Sequence, residues 1–249
     1  MKLKSIKILA LVLALGSSLA ACSEEQLSQA TSKNEIHAEK KNSLPIYDAN
    51  DWRTILVNRD HMLPKELEIQ LTSITKNAKK GQQMDSRISN VYQEMVTAAK
   101  KEEINLYFRS GFRPIKLQKT YYESQVQDYK NKGLSDKEAS AKVLEYTQYP
   151  GASEHHTGLA LDITSVEWEH TGGDLNDKFD TTDTFKWLDK HAAEYGFILR
   201  YPKDKESITG IKYEPWHYRY VGKEVATYLK ENGLTLEEYD QKVKSSNRK

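Results

Sequence analysis

Ser153-Glu-His-His-Thr-Gly-Leu-Ala-Leu-Asp-Ile163 sets two adjacent histidines and a glycine ahead of a short alternating run that carries a carboxylate. Leu159 to Thr164 is short, apolar and β-prone, which predicts a strand. Leu161 and Ile163 then fall on one face, and Ala160, Asp162 and Thr164 on the other, because side chains alternate along a strand. Asp162 projects among small or apolar neighbours, where a carboxylate is costly unless it is paired or bound to a cation. His155 lies seven residues earlier, an odd separation that would put it on the opposite face of a straight strand. Gly158 supplies a bend that can fold it back. Alternation and the bend do not choose between His155 and His156.

Glu214-Pro215-Trp216-His217 can complete the site. His217 adds a second imidazole, and Glu214 can stand beside a metal without binding it. Catalytic zinc takes three protein ligands and leaves one position for water. A carboxylate next to that water can take its proton and pass it to a leaving amine. Pro215 fixes the backbone between the two groups, and Trp216 can pack beneath them. The chain has seven histidines, His37, His61, His155, His156, His170, His191 and His217. These two regions set a histidine near carboxylates in segments predicted to be ordered.

Outward from the site, Thr54 to Asn58 reads as an opening strand. Met84 to Lys101 carries Ile88, Val91, Tyr92, Met95 and Ala99 at helical spacing behind Asp85 or Ser86 as N-cap. Ile104 to Phe108 alternates and runs into Arg109-Ser-Gly-Phe-Arg113-Pro, which places two arginines at a strand end. Leu117 to Tyr129 reads as helix. Ser135-Asp-Lys-Glu138 is a capping box opening a helix to about Tyr146, before Pro150-Gly151. Phe185 to Tyr195 is amphipathic and stops at Gly196. Phe197 to Tyr201 and Lys212 to Tyr220 are further strands, and Lys223 to Asn232 is a helix closed by Gly233. Helices and short strands mix without βαβ alternation, which predicts α+β with a small central antiparallel sheet flanked by helices.

Lys2, Lys4 and Lys7 precede Ile6 to Gly16, an apolar core too short to span a bilayer. Small residues and Leu19-Ala20-Ala21-Cys22 follow, the pattern of a secretory signal peptide with a bacterial lipobox. Cys22 is the single cysteine of the chain, so an internal disulfide is impossible and lipidation accounts for it. The expected organisation is a signal peptide over 1–22, a flexible tether over 23–45, a catalytic domain over 46–240 and a polar tail over 241–249. His37 falls in the tether and is expected to be solvated. The 37 Lys and Arg against 36 Asp and Glu make no case for nucleic acid or an acidic partner. The 15 tyrosines suit a groove for peptides or sugars, and equally an ordinary amphipathic surface.

The same residues resemble a known family. Ser153 to Asp162 matches the S-x-H-x-x-G-x-A-x-D motif of zinc D-alanyl-D-alanine carboxypeptidases of the vancomycin-resistance type, peptidase family M15B. Glu214 to His217 matches its E-x-W-H motif and Ser110 to Arg113 its S-G-[YF]-R motif, in the family's order. The resemblance implies a Hedgehog/DD-peptidase-like fold and one zinc held by His155, Asp162 and His217, with Glu214 as general base. It implies Arg113 at the oxyanion, Gln118 and Ser153 near the terminal D-alanine, and Arg113 or Arg109 on the free carboxylate. The position of His156 is variable in the family. The implied reaction removes the C-terminal D-alanine from peptidoglycan stem peptides. The expectation is an L,D-carboxypeptidase, monomeric and held outside the cell membrane by a lipid on Cys22. The alternatives are a D,D-carboxypeptidase, a phage-type endopeptidase, or a non-catalytic zinc-containing wall-binding lipoprotein.

Overall fold

The computed structural model describes residues 44–45 and 51–246. The expected signal peptide, Cys22, most of the tether and His37 lie outside them. Among the described residues no helix is long and apolar enough to cross a membrane.

A short antiparallel ribbon pairs β1 (Leu71–Ser73) with β2 (Gln83–Asp85). Asp85 then caps a 3-10 turn by accepting from the Arg87 amide, and α1 (Ser89–Lys101) follows. The central sheet takes β3 (Leu106–Ser110), β4 (Ala160–Ser165), β5 (Phe197–Leu199) and β6 (His217–Tyr220) in the order β3-β4-β6-β5, all antiparallel. Between the strands run α2 (Ile115–Asn131), α3 (Asp136–Val143), α4 (Val166–His170), α5 (Asp183–His191) and α6 (Glu206–Thr209); α7 (Lys223–Asn232) and α8 (Leu236–Ser246) come last. The fold is α+β, as the mixed pattern predicts.

One sheet face makes the main core. Leu106, Phe108, Leu161, Ile163, Phe197 and Tyr218 pack there against Ile88, Tyr92, Met95 and Ala99, which recur at helical spacing from the 3-10 turn into α1. Each of these is essentially inaccessible to water; burying one such apolar side chain contributes roughly 1.5–3 kcal/mol. A second core seats α7 and α8 through Val225, Ala226, Leu229, Leu236 and Tyr239 against Ile198 and Val221. The opposite face of β4 and β6 carries Asp162 and His217. The sheet thus spends one face on packing and keeps the other for polar groups.

Local signals place several boundaries well. Ser135 and Glu138 form both halves of the capping box, and Gly196 and Gly233 end their helices in the left-handed conformation. Four expectations need correction. Thr54 to Asn58 forms no strand: Val57 fills the core, but the Arg53 and Ile55 carbonyls accept from the Arg219 side chain rather than from a neighbouring strand. The strand expected from Lys212 begins only at His217, because Pro215 has no amide to donate and Glu214 to His217 closes a turn, His217 N–H to Glu214 O at 3.1 Å. The helix expected to reach Tyr146 stops at Val143 and unwinds through successive turns. Residues 241–246, expected to open a polar tail, continue α8.

Candidate metal and active site

Asp162 and His217 are register partners across β4 and β6, and directly opposed residues present their side chains on the same face. Asp162 Oδ1 lies 3.0 Å from His217 Nδ1. His155 arrives from the 3-10 turn Glu154–Thr157, which Gly158 ends at φ 67°. A Cβ at Gly158 would stand 2.9 Å from the Asp85 amide nitrogen, so space and backbone both demand glycine here. The bend sets His155 Nε2 3.4 Å from Asp162 Oδ2 and the two imidazoles edge to face, 5.0 Å apart. All three residues are buried, and their ligand atoms lie within 4.8 Å of one another.

The ring nitrogens are sorted by their other partners. His155 Nδ1 donates to Gly111 O at 2.7 Å, which leaves the Nε2 lone pair facing the cluster. Gly111 cannot carry a side chain, since its Cβ would meet Gln83 O at 2.1 Å. His156 points elsewhere. Its Nδ1 donates to Arg113 O at 2.6 Å and its Nε2 accepts from the Gly151 amide at 3.1 Å. Both nitrogens of His156 are engaged by backbone, so the doubled histidine divides into one residue facing the cluster and one pinning two loops together.

Glu214 and His217 share a turn, and Glu214 Oε2 lies 3.7 Å from His217 Nδ1. Burial pushes the Glu214 carboxyl up to about 8, helped by Asp162 and opposed by His217 and Arg113. Burial pushes His155 down to about 4. His217 goes the other way: burial would lower it, but Asp162, Glu154 and Glu214 raise it to about 9. Burial works against ionised Asp162, yet His155 and His217 hold it far below the carboxylate range. Two imidazole nitrogens and a carboxylate oxygen, buried on one side and open to a cavity on the other, are the donor set of a catalytic zinc site.

That cavity is about 490 Å³ and is lined by Arg113, Gln118, Ser153, Tyr201, Glu214 and Trp216 around the cluster. It falls within the roughly 300–1,000 Å³ usual for ligand pockets. Arg113 is aimed by Gln118, whose Oε1 accepts from its Nη1 at 2.9 Å, and by Ser110 Oγ at 3.3 Å. Gln118 also donates to Gln148 O at 2.7 Å, so both ends of its carboxamide are engaged. Ser153 lines the cavity and makes no capping bond to its turn. Arg109 is tied to both Glu169 oxygens, at 2.7 and 2.9 Å, and to Gly173 O. It lines a neighbouring hollow rather than the main cavity. Of the two candidate arginines, Arg113 is the one beside the cluster.

Two residues escape sequence reasoning. Tyr201 sits with its ring 4.9 Å from that of His217, and only its place two residues past the end of β5 brings it there. Glu154 is fully buried beside His217, and it stands at an unspecified position of the S-x-H-x-x-G-x-A-x-D motif, so the sequence carries no signal for it.

Comparison with known proteins agrees with this geometry. The sequence profile of the VanY family, described as D-alanyl-D-alanine carboxypeptidase, matches residues 81–223. A D-alanyl-D-alanine carboxypeptidase of Enterococcus faecalis (strain ATCC 700802 / V583) is 38% identical over 192 residues, covering 77% of this chain and 67% of the relative. A zinc-bound structure of a variant of the vancomycin-resistance D,D-pentapeptidase VanY, from a VanB-type resistance cassette, superposes with TM-score 0.66 at 36% identity, over 76% of this chain and 99% of that one. The LD-carboxypeptidase LdcB, whose structure addresses peptidoglycan recognition, superposes with TM-score 0.63 at 36% identity, over 81% and 94%. The buried cluster and the zinc-bound relative together identify the cofactor as zinc.

Proposed function

The chain belongs to the VanY family of D-alanyl-D-alanine carboxypeptidases and is a peptidase hydrolase; from that premise we propose that it removes the terminal D-alanine of peptidoglycan stem peptides with His155, Asp162 and His217 as zinc ligands. The observation that carries this reading is the convergence of those three side chains with buried Glu214 and half-buried Arg113 on one cavity. His155 offers Nε2 and His217 offers Nδ1, the nitrogens turned toward Asp162. Zinc held there supplies a Lewis acid for the scissile carbonyl and acidifies water. Glu214, beside His217 and lining the cavity, accepts the proton of the attacking water and delivers it to the departing amine. Arg113, held in place by Gln118 and Ser110, offers fixed positive charge to the developing oxyanion or to the free carboxylate of the leaving D-alanine.

Within this reaction we favour L,D specificity, cleavage of a tetrapeptide stem to a tripeptide. The lipobox-like Leu19-Ala20-Ala21-Cys22 supports it, since exported lipoprotein carboxypeptidases of this kind include L,D enzymes. The D,D reading, cleavage of a pentapeptide stem, is supported by the likeness to VanY. Purified protein incubated with defined tetrapeptide and pentapeptide stems separates the two. D-alanine released from tetrapeptide upholds the L,D reading, and release only from pentapeptide replaces it with the D,D one. The same lipobox leads us to place the enzyme outside the cell membrane on a lipid-modified Cys22; loss of membrane association in Cys22→Ala is the expected outcome, and unchanged association overturns it.

A further inference from the structure

A second buried charged group lies directly behind His217. Glu154, inside the 3-10 turn that carries His155, is sealed from water together with Arg200 and Arg219. Its Oε1 accepts from Arg200 Nε at 2.8 Å and from Arg219 Nη1 at 2.8 Å. Both arginines are held from elsewhere. Glu237 on α8 grips Arg200 with two bonds, at 2.6 and 2.8 Å, and Arg219 also donates to the Ile55 and Arg53 carbonyls at 2.8 and 3.1 Å. All this bonding converges on one Glu154 oxygen. The other, Oε2, is buried without a hydrogen bond and lies 3.8 Å from His217 Nε2, which is also buried without one.

Two buried polar atoms without a hydrogen bond, a carboxylate oxygen and a ring nitrogen that can donate when it carries the hydrogen, oppose each other on the side of the ring away from Asp162. A buried carboxylate oxygen left without a donor is costly, and a metal-ligating histidine is ordinarily fixed by a carboxylate on its second nitrogen. We infer that Glu154 is a positioning residue for His217: Oε2 keeps the ring hydrogen on Nε2, so that Nδ1 presents its lone pair to the metal. Arg200 and Arg219, themselves anchored to α8 and to the segment before β1, set the direction of that carboxylate. The inference rests on the reading of His217 as a ligand.

Glu154→Gln tests it, because the carboxamide has one accepting end and one donating end. The arginines claim its oxygen, which turns the NH₂ toward His217 Nε2, favours the Nδ1–H tautomer and blocks the metal-facing nitrogen. Zinc affinity, read by chelator competition on protein whose far-ultraviolet circular dichroism matches the parent, is expected to fall about 10–100-fold. His217→Ala is measured beside it. Loss of zinc in His217→Ala with unchanged affinity in Glu154→Gln overturns the role of Glu154 alone. Retention of zinc in His217→Ala overturns the ligand reading and this inference with it. If Glu154→Gln fails to fold, the parent protein loaded with cadmium-113 and labelled with nitrogen-15 at histidine decides. A slowly exchanging Nε2–H and cadmium coupling to Nδ1 of His217 support the inference, and a rapidly exchanging Nε2–H overturns it.

Discussion

Two buried charged clusters meet at His217 and behave differently. On the cavity side, His155, Asp162, His217 and Glu214 lie within reach of one another but are under-bonded, and their proton affinities are driven apart. On the inner side, Glu154, Arg200, Arg219 and Glu237 are buried as well, yet every guanidinium is bonded in two directions. Burial alone therefore does not mark a functional site. The mark is burial with valences left unfilled toward open space, and the inner cluster shows what the same residue types look like when they serve the fold. The single unfilled edge of the inner cluster is the one turned toward His217.

The sharpest way to break this contrast is to remove what the outer cluster is built to hold. Dialysis against a chelator should reduce D-alanine release to background, and added zinc should restore it; activity that survives with no bound metal would erase the distinction. Next in size is Glu214→Ala, which should lower turnover by about 10²–10⁴-fold, the usual worth of a positioned general acid-base, while zinc stays bound. Full turnover in that variant would move the proton transfer elsewhere. The inner cluster should answer in stability instead. Arg200→Met leaves Glu237 and part of Glu154 buried without their partner, at a cost of about 3–5 kcal/mol, seen as a lowered denaturation midpoint of the metal-free protein. The smallest effect belongs to His156→Ala. It strands the Gly151 amide and Arg113 carbonyl, a loss of about 1–3 kcal/mol, with zinc content unchanged.

The sequence was most informative where a structural decision is local. Strand alternation placed Asp162 opposite Leu161 and Ile163, the capping box fixed the start of α3, and Gly233 closed α7. The three motifs pointed to the side chains that the fold brings together around the cavity. What stayed hidden depends on distant partners. Thr54 to Asn58 looks like a strand, and only the reach of Arg219 reveals that its carbonyls are already taken. Arg200 and Glu237 look like solvated charges until α8 brings Glu237 onto Arg200, just past β5. The short ribbon of β1 and β2, three residues a side, is too brief for periodicity to register. Tyr201 enters the cavity only because β5 ends at Leu199 and the chain turns there.

The adjacent histidines face opposite ways, one toward the Asp162–His217 cluster and one toward backbone. His155→Ala and His156→Ala differ by a single position, and zinc per protein molecule can be measured for each by elemental analysis after gel filtration. None is expected for His155→Ala and one zinc for His156→Ala. Zinc retained in the first, or lost from a folded second, would contradict this assignment.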